Sequence, residues 1–457
     1  MKREHTYNSA LLVLVAVNIL NFYDRNVGGA LVGPQSREFG LTDTQVGLLG
    51  TAFTILYAFI GVPLGRVADV WSRKYLLAMG LTVWSSLTAA TYFVSSFGGL
   101  MFTRLGVGVG EAACAPTATS WIGDLVAPAK RARTLGLFML GVPVGGALSY
   151  FFSGRIVDYL KPAHGEPYAW RMAMIVAAAP ALLLIPLLLS LKEPKRGAAE
   201  LHAPPVDASS MFSVLRIPTL LWIIASGALL NFNMYAIGTF MPEMFRRIYR
   251  LTLAQAGDQT GIVYLVGGVI GGLGAGWVGD RIIRTRKNGR LLFGALFAFL
   301  GAPLAYFGGQ SPDLQTSVIL WASAYAMLNT YYALVYSSIQ DIVPPTKRGS
   351  AMALYFMAMY LCGASFGPLL TGRLSDMFAL RSAGVETLAQ LKALTPAAYE
   401  AARASGLQQA VVIIPVLQIL LGAVLFMASR TILNDMRRRE AAATAAVGPA
   451  QYFREVP

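Results

Sequence analysis

The chain has 457 residues, 55% of them apolar and 13% charged, with a mean hydropathy of +0.55, a balance that excludes an ordinary soluble domain of this length. Its net charge of +14 comes from 37 Lys and Arg against 23 Asp and Glu. These bases stand in short clusters between apolar runs, which marks them as topology signals and argues against a nucleic-acid surface.

The apolar runs are ~20 to 28 residues long, enough to cross about 30 Å of hydrocarbon as helices, and none shows the alternation of an outer-membrane barrel. In chain order twelve spans are expected, at 9–33, 45–67, 73–95, 98–126, 131–158, 170–191, 217–245, 254–280, 288–308, 314–343, 347–377 and 406–434. The fold class is therefore an all-α membrane protein. Basic clusters occupy the N-tail (Lys2, Arg3), the even-numbered loops (Arg73/Lys74, Lys130/Arg131/Arg133, Lys192/Lys195/Arg196, Arg284/Arg286/Lys287/Arg290, Lys347/Arg348) and the tail at Arg437–Arg439. By the positive-inside rule both termini are cytoplasmic. Arg246, Arg247 and Arg250 fall in an outward loop and are the exception. The charged start and the ionic pair Asp24 and Arg25 in the first run argue against a cleaved signal peptide. Cys114 and Cys362 each lie within an apolar span, which argues against a disulfide framework.

Residues 192–216, with Pro204 and Pro205, read as a cytoplasmic linker between an N-terminal half, 1–191, and a C-terminal half, 217–436, followed by a cytoplasmic tail, 437–457. Residues 380–405 read as an exterior insert holding one short amphipathic helix. The halves repeat each other. Asn21-Phe22, Gly28 and Leu41-Thr42 recur 210 residues later as Asn231-Phe232, Gly238 and Leu251-Thr252. Gly65-x-x-x-Asp69 recurs at Gly276 and Asp280, Asp124 with Lys130-Arg131 recurs as Asp341 with Lys347-Arg348, and Gly154-Arg155-x-x-Asp158 recurs as Gly372-Arg373-x-x-Asp376. Matches in order with a slowly drifting offset indicate a parallel duplication of six helices, the plan of a transporter that alternates access around a midplane site.

The halves differ where charge enters the membrane. Asp24 and Arg25 correspond to Met234 and Tyr235, and Arg104 and Glu111 to Trp321 and Leu328. A charge at the bilayer centre costs about 3 kcal/mol or more unless it faces water or a partner. Scaffold is duplicated whereas chemistry can reside in one half, so these four residues form the candidate site, with a purely structural ion-pair cluster as the alternative. Arg104 and Glu111, seven residues apart, share one helix face, and Gly106 and Gly110 let another helix approach. Glu111 is the expected proton carrier, and Asp24 either shares that role or holds the arginines in place. Arg25 and Arg104 suit an anionic head group, because a guanidinium offers phosphate or carboxylate a planar fork of donors. Residues 24 and 25 project roughly 100° apart, so both do not face one cavity wall.

Asp69, Arg73, Asp124 and Arg131 stand at cytoplasmic helix ends and are candidate gating residues, with ordinary positive-inside anchoring as the alternative. Arg155/Asp158 and Arg373/Asp376 read as packing or outward-gate pairs. The C-half offers aromatic and thioether surface instead of charge: Phe232, Met234 and Tyr235, then Tyr325, Tyr331 and Tyr332, then Met357, Met359 and Tyr360. Of these Tyr235, Tyr332 and Met359, with Asn231, are the candidate substrate contacts, and Asn329 is a weaker one. His5, His164 and His202 lie in tails or loops, so no metal site and no cofactor are expected, and no phosphate-binding glycine loop points to ATP. Nothing places a nucleophile beside a base, so no enzyme is expected.

The duplicated plan, the loop Gly65-Arg66-Val67-Ala68-Asp69-Val70-Trp71-Ser72-Arg73-Lys74 and Arg104-x-x-x-Gly108-x-Gly110 resemble the signatures of the major facilitator superfamily. Val70 stands where that loop usually has an arginine. Within the superfamily, Asn18–Arg25, Ser72–Leu76, Thr103–Ala112 and Val142–Gly145 resemble the spinster family. The resemblance implies proton-linked or facilitated export of amphiphilic lipids such as lysophospholipids or sphingolipids. The resulting expectation is a monomeric secondary transporter of the inner (plasma) membrane, moving an amphiphilic anion with protons amid membrane lipids. Two alternatives stand beside it: a transporter of a small organic anion or drug, and a non-transporting membrane sensor.

Overall fold

In the computed structural model, which describes residues 2–126, 128–195, 211–283, 286–344 and 347–447, every described element is helical. Among the described residues ten helices are long and apolar enough to cross a membrane. The helix starts follow local chemistry. Thr42 and Thr252, 210 residues apart, each open a capping box with the glutamine three positions on, and Ser72, Ser96 and Asp313 cap three further helices.

Several of the expected spans are interrupted. Span 98–126 is two helices, Phe97–Glu111 and Cys114–Leu125, because Pro116 has no N–H for the Ala112 carbonyl and crowds it. The same four-residue relation breaks the fifth span ahead of Pro143, between Pro128–Met139 and Gly141–His164. Span 254–280 contains a π-helical turn, Val263–Gly267, between Leu253–Ile262 and Gly268–Ile283. A second π-helical turn, Met359–Ala364, lies four residues ahead of Pro368 in the eleventh span. The insert after Ala383 differs from expectation. It holds two helices, Leu388–Lys392 and Pro396–Ala410, the second leading through Val411 and Val412 into the last helix, Ile413–Val447.

Within the first half, the first span packs on the fifth and the third on the fourth. Gly110 of the fourth meets Gly80 and Trp84 of the third so closely that a side-chain carbon on Gly110 would lie 2.7 Å from the Trp84 nitrogen, which identifies the helix that the small-residue face admits. The halves meet along two seams, second span on eleventh and fifth on eighth. The start of the first helix, the even-numbered loops and the end of the last helix share one face, here the near face; Arg439 there donates to the Asp341 carbonyl at 2.7 Å.

Candidate functional site

Between the halves lies a cavity of about 2110 Å³. Its lining runs from Gly29, Gly238 and Thr239 at the crossing of the first and seventh helices down to Asn8, Arg66, Thr134, Arg290 and Gln340 at helix ends of the near face. It opens there. At its roof the Tyr150 hydroxyl donates to the Gly238 carbonyl at 2.7 Å and lies 3.1 Å from Asn26 Oδ1, joining the halves above the open space.

The four charges meet at mid-membrane, divided between wall and interior. Arg25 and Arg104 line the cavity; Asp24 and Glu111 have no exposed surface and sit behind them. Arg25 Nε donates to Glu111 Oε2 at 2.9 Å, so the ion pair bridges the first and fourth spans, while Arg104 and Glu111 share a face without pairing. The other end of the Arg25 fork reaches the C-half, with Nη1 at 3.4 Å from the hydroxyls of both Tyr235 and Tyr360. Its guanidinium carbon also lies 4.6 Å from the Tyr57 ring centre and 4.7 Å from that of Phe22. One guanidinium therefore touches the buried carboxylate, the open cavity and both halves.

Arg104 is less engaged. Its Nη2 donates to the Met174 sulfur at 3.9 Å, a weak acceptor, and it packs against Gly28. Asp24, one residue from Arg25 and turned inward as the 100° offset requires, lies in electrostatic reach of Glu111 and Arg104 beside the Trp84 indole. Both its carboxylate oxygens are buried without a hydrogen-bond partner, as is Glu111 Oε1. Buried carboxylate oxygens without donors are costly, which sets this interior apart from the satisfied ion pairs of the two faces.

Across the cavity, Asn231, Tyr235, Tyr332 and Met359 all line the C-half wall, together with Met234, Tyr325, Met357 and Asn329. Phe232 and Tyr331 instead pack inside the half, Tyr331 hydrogen-bonded to Ser226 at 2.6 Å. The wall is more polar than an apolar surface. Tyr235, Tyr332, Tyr336 and Tyr360 line it, and Tyr57 of the second span meets them from the first half, its ring centred 4.7 Å from that of Tyr360. Tyr57 and Tyr336 escaped the sequence reading, since an aromatic residue in a span resembles any core position.

At the near face Arg73 pairs with Asp124 at 2.5 Å and with Glu193 at 3.0 Å, and donates to the Ser120 and Pro194 carbonyls. All these partners belong to the N-half and the start of the linker. Burial pushes the Glu193 carboxyl up, but hydrogen bonds from Ser72 and from Arg73 outweigh it and hold the group below the usual carboxylate range. The side chains of Asp69 and Arg131 lie outside the described residues.

The opposite, far face is closed. Asp43, at the start of the second span, receives Arg247 through two bonds of 2.7 and 2.9 Å, Ser375 at 2.7 Å and a contact from Arg403. Glu243 takes Arg246 and Arg247, each at 2.9 Å. Arg246 and Arg247, which broke the charge rule, are thus neutralised partners in an ionic seal. Asp43 was missed, although it corresponds to Leu253 and so meets the same one-half-only criterion as the four mid-membrane charges.

Asp376 and Asp158 hold the two seams in the same way. Asp376 accepts from the backbone N–H groups of Asp43 and Thr44, at 3.0 and 2.8 Å, and Asp158 from that of Ala254 at 2.9 Å. Arg155 pairs with Asp258 at 2.5 Å on the second seam.

Comparison with known proteins agrees with this arrangement. The sequence model of the Major Facilitator Superfamily matches residues 14–368. An MFS-type efflux pump of Mycolicibacterium smegmatis is 29% identical over 374 residues, covering 80% of this chain and 84% of that protein. Protein spinster homolog 1 of Homo sapiens is 28% identical over 400 residues, covering 80% and 73%. Among solved structures, a bacterial homologue of the human lysosomal transporter spinster, in an inward-facing and unoccupied conformation, superposes with a TM-score of 0.81 at 25% identity, covering 94% of this chain and 98% of that one. With a matched region that spans both duplicated halves, and spinster proteins among its relatives, the chain belongs to the Major Facilitator Superfamily.

Proposed function

We propose that the protein is a proton-coupled secondary transporter of an amphiphilic anion, such as a lysophospholipid or sphingolipid, crossing the inner (plasma) membrane twelve times with both termini cytoplasmic. The observation that carries this reading is the position of Arg25, bound to the buried Glu111 on one side and open to the cavity on the other. While Glu111 is ionised it occupies the Arg25 fork. A proton on Glu111, whose Oε1 has no partner, removes the charge that holds the guanidinium and frees it for the anionic head group. Asp24 serves as a second proton site, and Arg104 supplies a cation near the roof. Asn231, Tyr235, Tyr332 and Met359 contact the body of the substrate. Asp124 and Arg73, with Asp69 and Arg131, gate the near face. The lipid class rests on the resemblance to the spinster family, and spinster homologues stand among the relatives.

A second reading is a small organic anion or drug, favoured by the tyrosine-rich wall and by the relative described as an efflux pump. One assay tests both. In proteoliposomes, Glu111→Gln should abolish uptake driven by a pH gradient while leaving substrate exchange. Full pH-driven uptake by that variant overturns the coupling role, and uptake of aromatic carboxylates but not lysolipids by the parent protein decides for the second reading.

A further inference from the structure

The insert between the eleventh and last helices has no counterpart in the first half, where Gly165 alone separates helix Gly141–His164 from Glu166–Ala178. It is folded firmly onto its own half. Leu391 and Leu407 are buried, and Ala379 of the eleventh span packs with Leu391, Ala402 and Tyr399 of the insert. Its polar side chains nevertheless reach the other half. Lys392 Nζ donates to the Gly40 carbonyl at 2.8 Å, and Arg403 joins Arg247 on the Asp43 carboxylate. Glu400 adds a 3.4 Å contact to Arg246 beside them.

We propose that the insert, residues 384–412, is a strap that holds the far face shut, with Arg403 as its lock on Asp43. The acceptors of Lys392 and Arg403 belong to the N-half, at the start of the second span, whereas the apolar base of the strap belongs to the C-half. When the far face opens, the second span separates from the seventh and eleventh. The base then stays on the eleventh helix, and both cations lose their acceptors. An interaction present in one state and absent from the other biases the equilibrium by its own free energy, so the strap favours the conformation open to the near face. On the opposite seam no strap exists, and the Arg155–Asp258 pair is partly exposed, with side chains 52% and 29% accessible. Such a pair contributes little. The strap acts whatever the substrate and whether or not protons are coupled, so its test is independent of the transport reading.

The test uses the full chain in membranes, with Cys114 and Cys362 replaced and Thr239→Cys introduced at the cavity roof, labelled from the far side by a membrane-impermeant maleimide. Arg403→Gln should raise the labelling rate about tenfold, the shift that follows when the closed state loses a contact worth one decade in equilibrium. Arg403→Lys should restore most of the closure, and Arg155→Gln should leave the rate near that of the parent. A parental rate in Arg403→Gln overturns the proposal, as does an equal rise in Arg155→Gln. Should Arg403→Gln fail to fold, the exposed Lys392→Gln decides: a smaller rise in labelling supports the strap, and no rise overturns it.

Discussion

The far-face seams and the mid-membrane cavity are built from the same duplicated helices, yet one keeps the duplication and the other abandons it. Asp376 of the second half caps the start of the second span at Thr44, and Asp158 of the first half caps the start of the eighth at Ala254, the residue 210 positions after Thr44. Gly372 and Gly154 make the close approaches beside them: a side-chain carbon on Gly372 would run into the Asp43 carbonyl, and one on Gly154 would lie 2.6 Å from the Leu253 oxygen. Closure needs two matching hinges, and duplication supplies them. In the cavity, Arg25 faces Tyr235, its own counterpart in the other half, at 3.4 Å. A charged residue set against its neutral replica makes a wall with direction, which two identical walls would lack. The seams thus keep matched caps and close approaches, whereas the mid-membrane wall sets unlike residues opposite one another.

The largest effect that sharpens this contrast comes from breaking the asymmetric side. Arg25→Ala leaves Glu111 buried without its cation and should cost about 3–5 kcal/mol in stability at neutral pH. The double variant Arg25→Ala/Glu111→Gln should recover most of that loss while still failing to concentrate substrate. Thermal unfolding of both variants in detergent is the measurement. If the single variant is as stable as the parent, the pair is not the electrostatic centre of the wall.

The symmetric side should respond less. Asp376→Ala removes three bonds, to two backbone N–H groups and the Thr44 hydroxyl, whereas Asp158→Ala removes the one to Ala254. A lost helix cap costs about 1 kcal/mol. We therefore expect Asp158→Ala near that value and Asp376→Ala about twice as large, read as faster far-side labelling at the cavity roof. Equal effects would show that the seams are matched in strength as well as in pattern, and would leave the strap as their only difference.

Much of this division was legible in the sequence because it is written in offsets. Asp24, Arg25, Arg104 and Glu111 stood out as charges without a counterpart, and they do meet around the cavity. Which of them pair was not legible. Seven-residue spacing stacks Arg104 with Glu111 on one helix, but the shorter path from Glu111 crosses to Arg25 on another, and inter-helix distance is absent from a single chain pattern. Spans were read as continuous where Pro116 and Pro143 break them, since hydropathy counts a proline as one more tolerated residue. Asp43 and Arg403 were invisible as a pair because 360 residues separate them and one lies in an insert that reads as a polar loop. The internal duplication carried the plan of two halves but could not place a segment that only one half possesses.

The smallest effect belongs to the near face, where the clasp on the linker has no replica described in the second half. Glu193 accepts from the Ser72 hydroxyl at 2.7 Å and from the Arg73 backbone at 3.0 Å, which ties the start of the third helix to the end of the sixth. Its carboxyl is held below the ordinary value of 4.5. A lowered folded-state value means that the clasp contributes its full stability above the unfolded value and loses it as pH falls through the folded one. Between pH 6 and 8, the range over which a transporter works on protons, the clasp should therefore not respond, and only acidification below about pH 4 should loosen it. The clasp is then a fixed tie between the start of the third helix and Glu193 across that range. A Glu193→Gln variant checks this: its stability should fall by about 1 kcal/mol or less, given a partly exposed group, and the fall should be constant from pH 6 to 8. A loss that grew across that interval would mean that the near face titrates with the cavity, and the line between motion and chemistry would have to be redrawn.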